Sequence, residues 1–205
     1  MRARELTGSL FVVAASAALL HALAEQSAEL HYHTAQTFLY LGEGWQAYLE
    51  RWDEPWVSRI GSTAMGFWFA NAPAVEGFAV RVGWWVALWF GAIALVWIRA
   101  LRDARHQALA ILVNLAAVIF AYVPAQLGGE WTRIYPWDMP ALFFMTLALV
   151  LWFRRARLLA LGPVVFAGML MKETVGIVFL LPLLRRELRP ALVLLGCAIA
   201  GKVTA

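Results

Sequence analysis

The sequence predicts an all-α fold, a polytopic membrane helix bundle. Three observations carry that prediction. Hydrophobic residues make up 62% of the 205 and charged ones 15%, against roughly 45–50% and about 25% in an average soluble domain. The apolar runs are long and continuous, without the dyad alternation of transmembrane strands. Loop charge also alternates in sign along the chain, as the bias of Arg and Lys towards the cytoplasmic side requires of successive loops. The net charge of +4 is gathered in short clusters between apolar runs, so it reads as topology and no nucleic-acid partner is expected. Membrane lipids are the expected surroundings, and a bacterial inner membrane the expected location. Cys197 is the one cysteine, so no disulfide framework exists.

Arg2, Arg4 and Glu5 precede an apolar segment from Gly8 to Ala24 that is broken at His21. Ala22-Leu23-Ala24 resembles a signal cleavage site. Because further spans follow, an uncleaved first helix with a cytoplasmic N-terminus is the better reading. Glu25 to Ser58 then sets Glu25, Glu29, Glu43, Glu50, Asp53 and Glu54 against Arg51 alone. An acidic loop after such a helix belongs outside. Its aromatics, among them Tyr32, Phe38, Trp45, Tyr48 and Trp52, are spaced for amphipathic helices lying along the membrane surface. Gly42 and Gly44 divide the loop, and Pro55 helps to end its second piece.

Arg59 to Ala72 reads as a short, mostly apolar helix closed by Asn71-Ala72-Pro73. A long helix follows from about Ala74 to Ala100, with its best spanning core at Gly83 to Ile98. Arg99, Arg102 and Arg105, against Asp103, mark an inside loop. Ala108 to Ala125 returns outwards, Leu127 to Asp138 forms a second outer loop, and Met139 to Phe153 goes back in. Pro190 to Ala205 begins one more outward segment, which contains Lys202. One membrane domain of about six to eight segments results, with no internal repeat and no separate soluble domain.

The stretch from Leu158 to Leu184 is an apolar run interrupted by Met171-Lys172-Glu173-Thr174. Arg154, Arg155 and Arg157 precede it, and Arg185, Arg186 and Arg189 follow it. A single spanning helix would put those clusters on opposite sides of a bilayer, against the charge bias. A hairpin of two short helices keeps both basic ends inside and carries Lys172-Glu173 to its tip. Each arm has about 14 residues, short of the roughly 20 needed to cross. The tip therefore stops inside protein or a wet cavity, and ionisable residues at that depth are candidates for a functional site. A buried ammonium suits a phosphate, with the neighbouring carboxylate as its companion. The bland account is a hairpin turn that reaches the interface, where Lys can snorkel.

Arg133-Ile134-Tyr135-Pro136-Trp137-Asp138 is the second candidate. Asp138 before Met139-Pro140 looks like an N-cap with Pro at the second helical position, and a site role for it stays equally open. Arg133 and Tyr135 suit an anionic headgroup, or serve as interface anchors. In the acidic loop, Asp53 or Glu54 is a candidate general base. His31 and His33 with Glu29 could ligate a metal, although i and i+2 do not share a helix face. No phosphate-binding glycine loop or nucleophile elbow is present.

Together these features resemble the polytopic GT-C glycosyltransferases, the group of the protein mannosyltransferases and arabinosyltransferases. The likeness rests on the first helix and acidic outer loop, the turn Pro55-Trp56-Val57-Ser58-Arg59-Ile60, and two short motifs. Tyr135-Pro136-Trp137-Asp138 is similar to that family's tyrosine-proline-aspartate loop leading into a helix. Leu170-Met171-Lys172-Glu173-Thr174 is similar to its apolar stretch ending in Lys or Arg followed by Glu-Thr. The resemblance implies transfer of a sugar from a polyprenyl-phosphate donor at the outer face. A carboxylate of the first outer loop, Asp53, Glu54 or Glu29, would be the base, sometimes with a divalent metal. Arg59, Arg133 and Lys172 would hold the donor phosphate, with Tyr135, Asp138 and Glu173 beside them. Two departures stand out. Glu25 and Glu29 occupy the region where the family has an aspartate soon after the first helix. Family members are also commonly longer, so a fragment, a degenerate relative or a small subunit is expected. A non-catalytic subunit binding a lipid or a partner protein is therefore the alternative. A small transporter, with the hairpin as a midplane anion site, is the third reading.

Overall fold

A computed structural model describes residues 3–26, 32, 46, 50, 64, 75–126 and 138–204, and every regular element among them is helical. The order is α1 (Ala3–Gln26), α2 (Val75–Ala100), α3 (Ala104–Gln126), α4 (Met139–Phe153), α5 (Leu158–Met171), a 3-10 helix (Glu173–Leu180), α6 (Leu181–Leu184) and α7 (Leu188–Thr204). The all-α class is as expected. Among the described residues one helix, α2 with 26 residues, is long and apolar enough to cross a membrane, and the other apolar helical stretches run 10–17 residues. Those are shorter than the roughly 20 residues of a full crossing. The amphipathic helices expected in the first outer loop lie outside the described residues.

Helix α2 is the spine. Glu76 lies in its first turn and Arg99 in its last, each where the helix macrodipole favours its sign. Phe78, Val82, Val86, Phe90 and Ile93 are buried along one stripe. Val80, Trp84 and Leu88 face outwards along the opposite one. Both stripes are apolar, and the charged Glu76 and Arg81 are exposed in the first two turns.

The packing defines two ends. Ser9 near the start of α1 donates to Gln107 near the start of α3, whereas Leu20 and Ala24 near the end of α1 join the core cluster that holds Phe78 from the start of α2. Helices α1 and α2 are therefore antiparallel. Arg154, just past α4, donates to the carbonyls of Arg99 and Ala100 at the end of α2. Further back, Trp89 meets Phe143 with ring centroids 5.4 Å apart, so α2 and α4 run parallel. The guanidinium of Arg185, just past α6, sits 4.7 Å over the Trp152 ring near the end of α4. The corners at 99–105, 154–157 and 185–189 thus share one end of the bundle. Both arginine clusters that flank the hairpin lie there.

The end of α2 is closed by side chains from elsewhere. Helix C-termini leave carbonyls without intrahelical donors. Arg154 takes two of them, and the fully buried Gln107 donates to the carbonyls of Ile98 (3.1 Å) and Leu101 (2.8 Å). The Gln107 Oε1 accepts from Ser9 Oγ at 2.7 Å, so one amide uses both donors and its acceptor. Gln107→Leu is expected to lower stability by about 2 kcal/mol, because it strands buried acceptors and a hydroxyl donor. Equilibrium unfolding measures this, and a change within scatter of the wild type would refute it.

Candidate functional site

The site is built where the start of α4 meets the hairpin tip. Helix α4 begins at Met139 with Pro140 among its first two residues, where a missing N–H is tolerated. Asp138 does not act as the expected cap. Its φ of −85° and ψ of −12° are helical, and its side chain makes no capping hydrogen bond. A capping side chain needs an extended backbone to bend back over the first-turn N–H groups. The carboxylate instead reaches across the fold, and Lys172 Nζ donates to Asp138 Oδ2 at 2.7 Å. The Asp138 side chain is 3% exposed and that of Lys172 18%.

One extended residue delivers the lysine. Lys172 has φ −164° and ψ 134°, between α5 and the 3-10 helix. Its N–H still donates to the Gly168 carbonyl (2.9 Å), and its carbonyl accepts from the Val175 N–H (3.1 Å). The break therefore keeps its backbone hydrogen bonds while the chain doubles back. Close approach makes the reversal tight. A Cβ on Gly168 would drive into Val175 Cγ1, and one on Gly201 of α7 would stand 2.7 Å from Met169 Cβ and 2.8 Å from the Phe166 carbonyl oxygen. Ala141, Met171 and Val175 form a buried cluster with Phe144 and Met145 packed against it. An ion pair beside apolar side chains is less screened than one in water, and each ion depends more on its partner.

The expected companion of Lys172 is its neighbour Glu173; the carboxylate that the structure sets against it is Asp138. The Glu173 side chain lies outside the described residues, and its backbone opens the 3-10 helix. An ammonium has three N–H donors. One is engaged by Asp138, and the side chain is 18% exposed.

Asp138 and Lys172 are the two expected site residues that the structure brings together. Asp53, Glu54, Glu29, Arg59, Arg133 and Tyr135 lie outside the described residues, as do His31 and His33. Tyr32 of the acidic loop contacts Phe78 edge-on, with centroids 5.4 Å apart. That contact places Tyr32 at the start of α2, the end opposite the arginine corners. Further along, the Glu50 N–H donates to the Gln46 carbonyl at 3.2 Å. Among the described residues, no group of three His, Cys, Asp or Glu side chains is placed to hold a metal ion. His21, the polar break in the first apolar segment, stands edge-on to Trp84 at 5.1 Å between centroids.

Sequence reasoning misses the roles of Gln107 and Arg154 in closing α2. The available signal for Gln107 is an uncharged amide at the foot of an apolar helix, where a buried polar group needs partners. Comparisons of the chain with protein-family models, with curated proteins and with solved structures find no match.

Proposed function

We propose that the chain is a polytopic membrane protein of the GT-C glycosyltransferase kind. In this reading the Asp138–Lys172 pair anchors an outer-face site for the phosphate of a polyprenyl-phosphate-linked sugar. One observation carries it. The two short motifs on which the resemblance rests, Tyr135-Pro136-Trp137-Asp138 and Leu170-Met171-Lys172-Glu173-Thr174, are joined by a 2.7 Å ion pair across 34 positions of sequence. The membrane setting is supported by apolar side chains exposed along several helices, such as Phe11 (72%), Leu88 (68%) and Leu109 (60%). Soluble monomers rarely show large contiguous apolar surface. The helix from Asp138 to Arg154 measures about 24 Å. With the arginine corners at the inner headgroups, the pair falls in the outer half of a core about 30 Å thick.

The apolar packing around the pair favours a second reading, a non-catalytic subunit in which the pair is a clasp. One set of measurements separates the readings. In membranes carrying the protein, Lys172→Ala and the joint Asp53→Asn, Glu54→Gln variant are each expected to cut sugar transfer from a polyprenyl-phosphate donor by at least about 100-fold. Membrane insertion should be unchanged. Wild-type transfer in both variants would sink the proposal. Donor binding without transfer by the wild type assigns the chain to the subunit reading. Lys172-dependent anion uptake by proteoliposomes assigns it to the transporter reading.

A further inference from the structure

Two corners of the bundle repeat one backbone arrangement. After α4, the Arg155 N–H donates to the Trp152 carbonyl and the Ala156 N–H to that of Leu151. After α6, the Arg186 N–H donates to Leu183 and the Glu187 N–H to Pro182. Both are Schellman turns, whose left-handed position favours glycine. Arginine occupies it each time, with φ 54° at Arg155 and 59° at Arg186, and these are the positive-φ non-glycine residues among those described. A side chain held twice in an unfavourable backbone conformation points to a role for that side chain.

The surroundings indicate the role. Arg154 is engaged by the carbonyls of α2 and Arg185 by the Trp152 ring, which sets the two turns side by side. Arg155, Arg157, Arg186 and Arg189 face outwards, and Glu187, next to Arg186 in sequence, is exposed too. Beside them Leu159 is 87% and Leu184 82% exposed. Guanidinium forks match phosphate oxygens, and the exposed leucines match acyl chains. A nucleic acid or a soluble acidic peptide would have no use for the leucines.

We infer that these twin turns bind the headgroups of anionic phospholipids at the end of the bundle opposite the Asp138–Lys172 pair. The inference rests on the membrane reading above. The intact protein is reconstituted into phosphatidylcholine vesicles containing either brominated phosphatidylglycerol or brominated phosphatidylcholine, and quenching of tryptophan fluorescence reports which lipid is held. The wild type should prefer phosphatidylglycerol several-fold, with the preference falling as salt rises. The Arg155→Gly, Arg186→Gly variant is the discriminating one. Its unfolding midpoint should rise because glycine relaxes both turns, while its lipid preference falls. Adding Arg157→Gln and Arg189→Gln should bring the preference close to unity. An inserted protein with no preference, or a preference untouched by these substitutions, overturns the inference and leaves the membrane reading standing. Abolition by inorganic phosphate at matched ionic strength would identify a free-phosphate site and overturn the lipid assignment. Release of the chain from membranes by alkaline wash overturns the membrane reading itself.

Discussion

Replacing Lys172 with methionine is expected to lower unfolding stability by about 3 kcal/mol, the lower end of the cost of removing one partner from a buried ion pair. The burden falls on the carboxylate. Asp138 is 3% exposed against 18% for Lys172, so the substitution takes the ammonium away from a charge that has little access to water. Asp138→Leu should cost less, about 2 kcal/mol, because a lysine stem can carry its ammonium outwards along an apolar surface. The double variant should cost less than the two single ones combined, by about 1–3 kcal/mol. Unfolding of all four proteins in detergent micelles closes this cycle. Strict additivity would show that the two side chains do not act as a pair.

Gly168→Val should be of similar weight, about 3 kcal/mol, and acts through packing. The Gly168 carbonyl accepts the Lys172 N–H, so the residue lies one turn before the break. A Cβ there collides with Val175 Cγ1 and stands 3.1 Å from both Phe144 Cβ and Val175 Cβ. None of these is the free end of a flexible chain, so the returning arm must move away from α5. Gly168→Ala should be milder, and Val175→Ala beside it should recover part of the loss by removing the colliding methyl. Loosening the tip should also speed modification of Lys172 by an amine reagent, followed peptide by peptide. Labelling of Lys172 at the wild-type rate in Gly168→Val would argue that the tip tolerates the larger side chain.

Helix limits are legible where the ends carry their own chemistry. Pro140 marks the start of α4 and Arg154 its end, and the helix keeps the limits Met139–Phe153, although Asp138 does not cap it. The same logic fails at α3. Its apolar run suggests a start at Ala108, yet the helix begins at Ala104. The Arg105 N–H donates to Asp103 Oδ1 at 2.7 Å, which makes Asp103 the cap. Arg105 and His106 are exposed on the first turn, so residues that read as loop by hydropathy are the solvated face of a helix. At Lys172 the charge does mark a break, because interrupting an apolar run with Lys-Glu is a strong local signal.

The sequence by itself determines the helical class, the order of the segments, the break at Lys172 and the arginine corners. All of these come from hydropathy and charge read along a few neighbouring residues. The tertiary structure decides which carboxylate Lys172 takes, and it decides that Gln107 and Arg154 finish α2. The reason is physical. An ammonium on an extended residue points away from its own chain, so its partner is set by whatever packs against the hairpin. Here that is the start of α4, and Asp138 comes within 2.7 Å of Lys172 because α5 and the 3-10 helix both lie against α4. No pattern within either segment contains that distance.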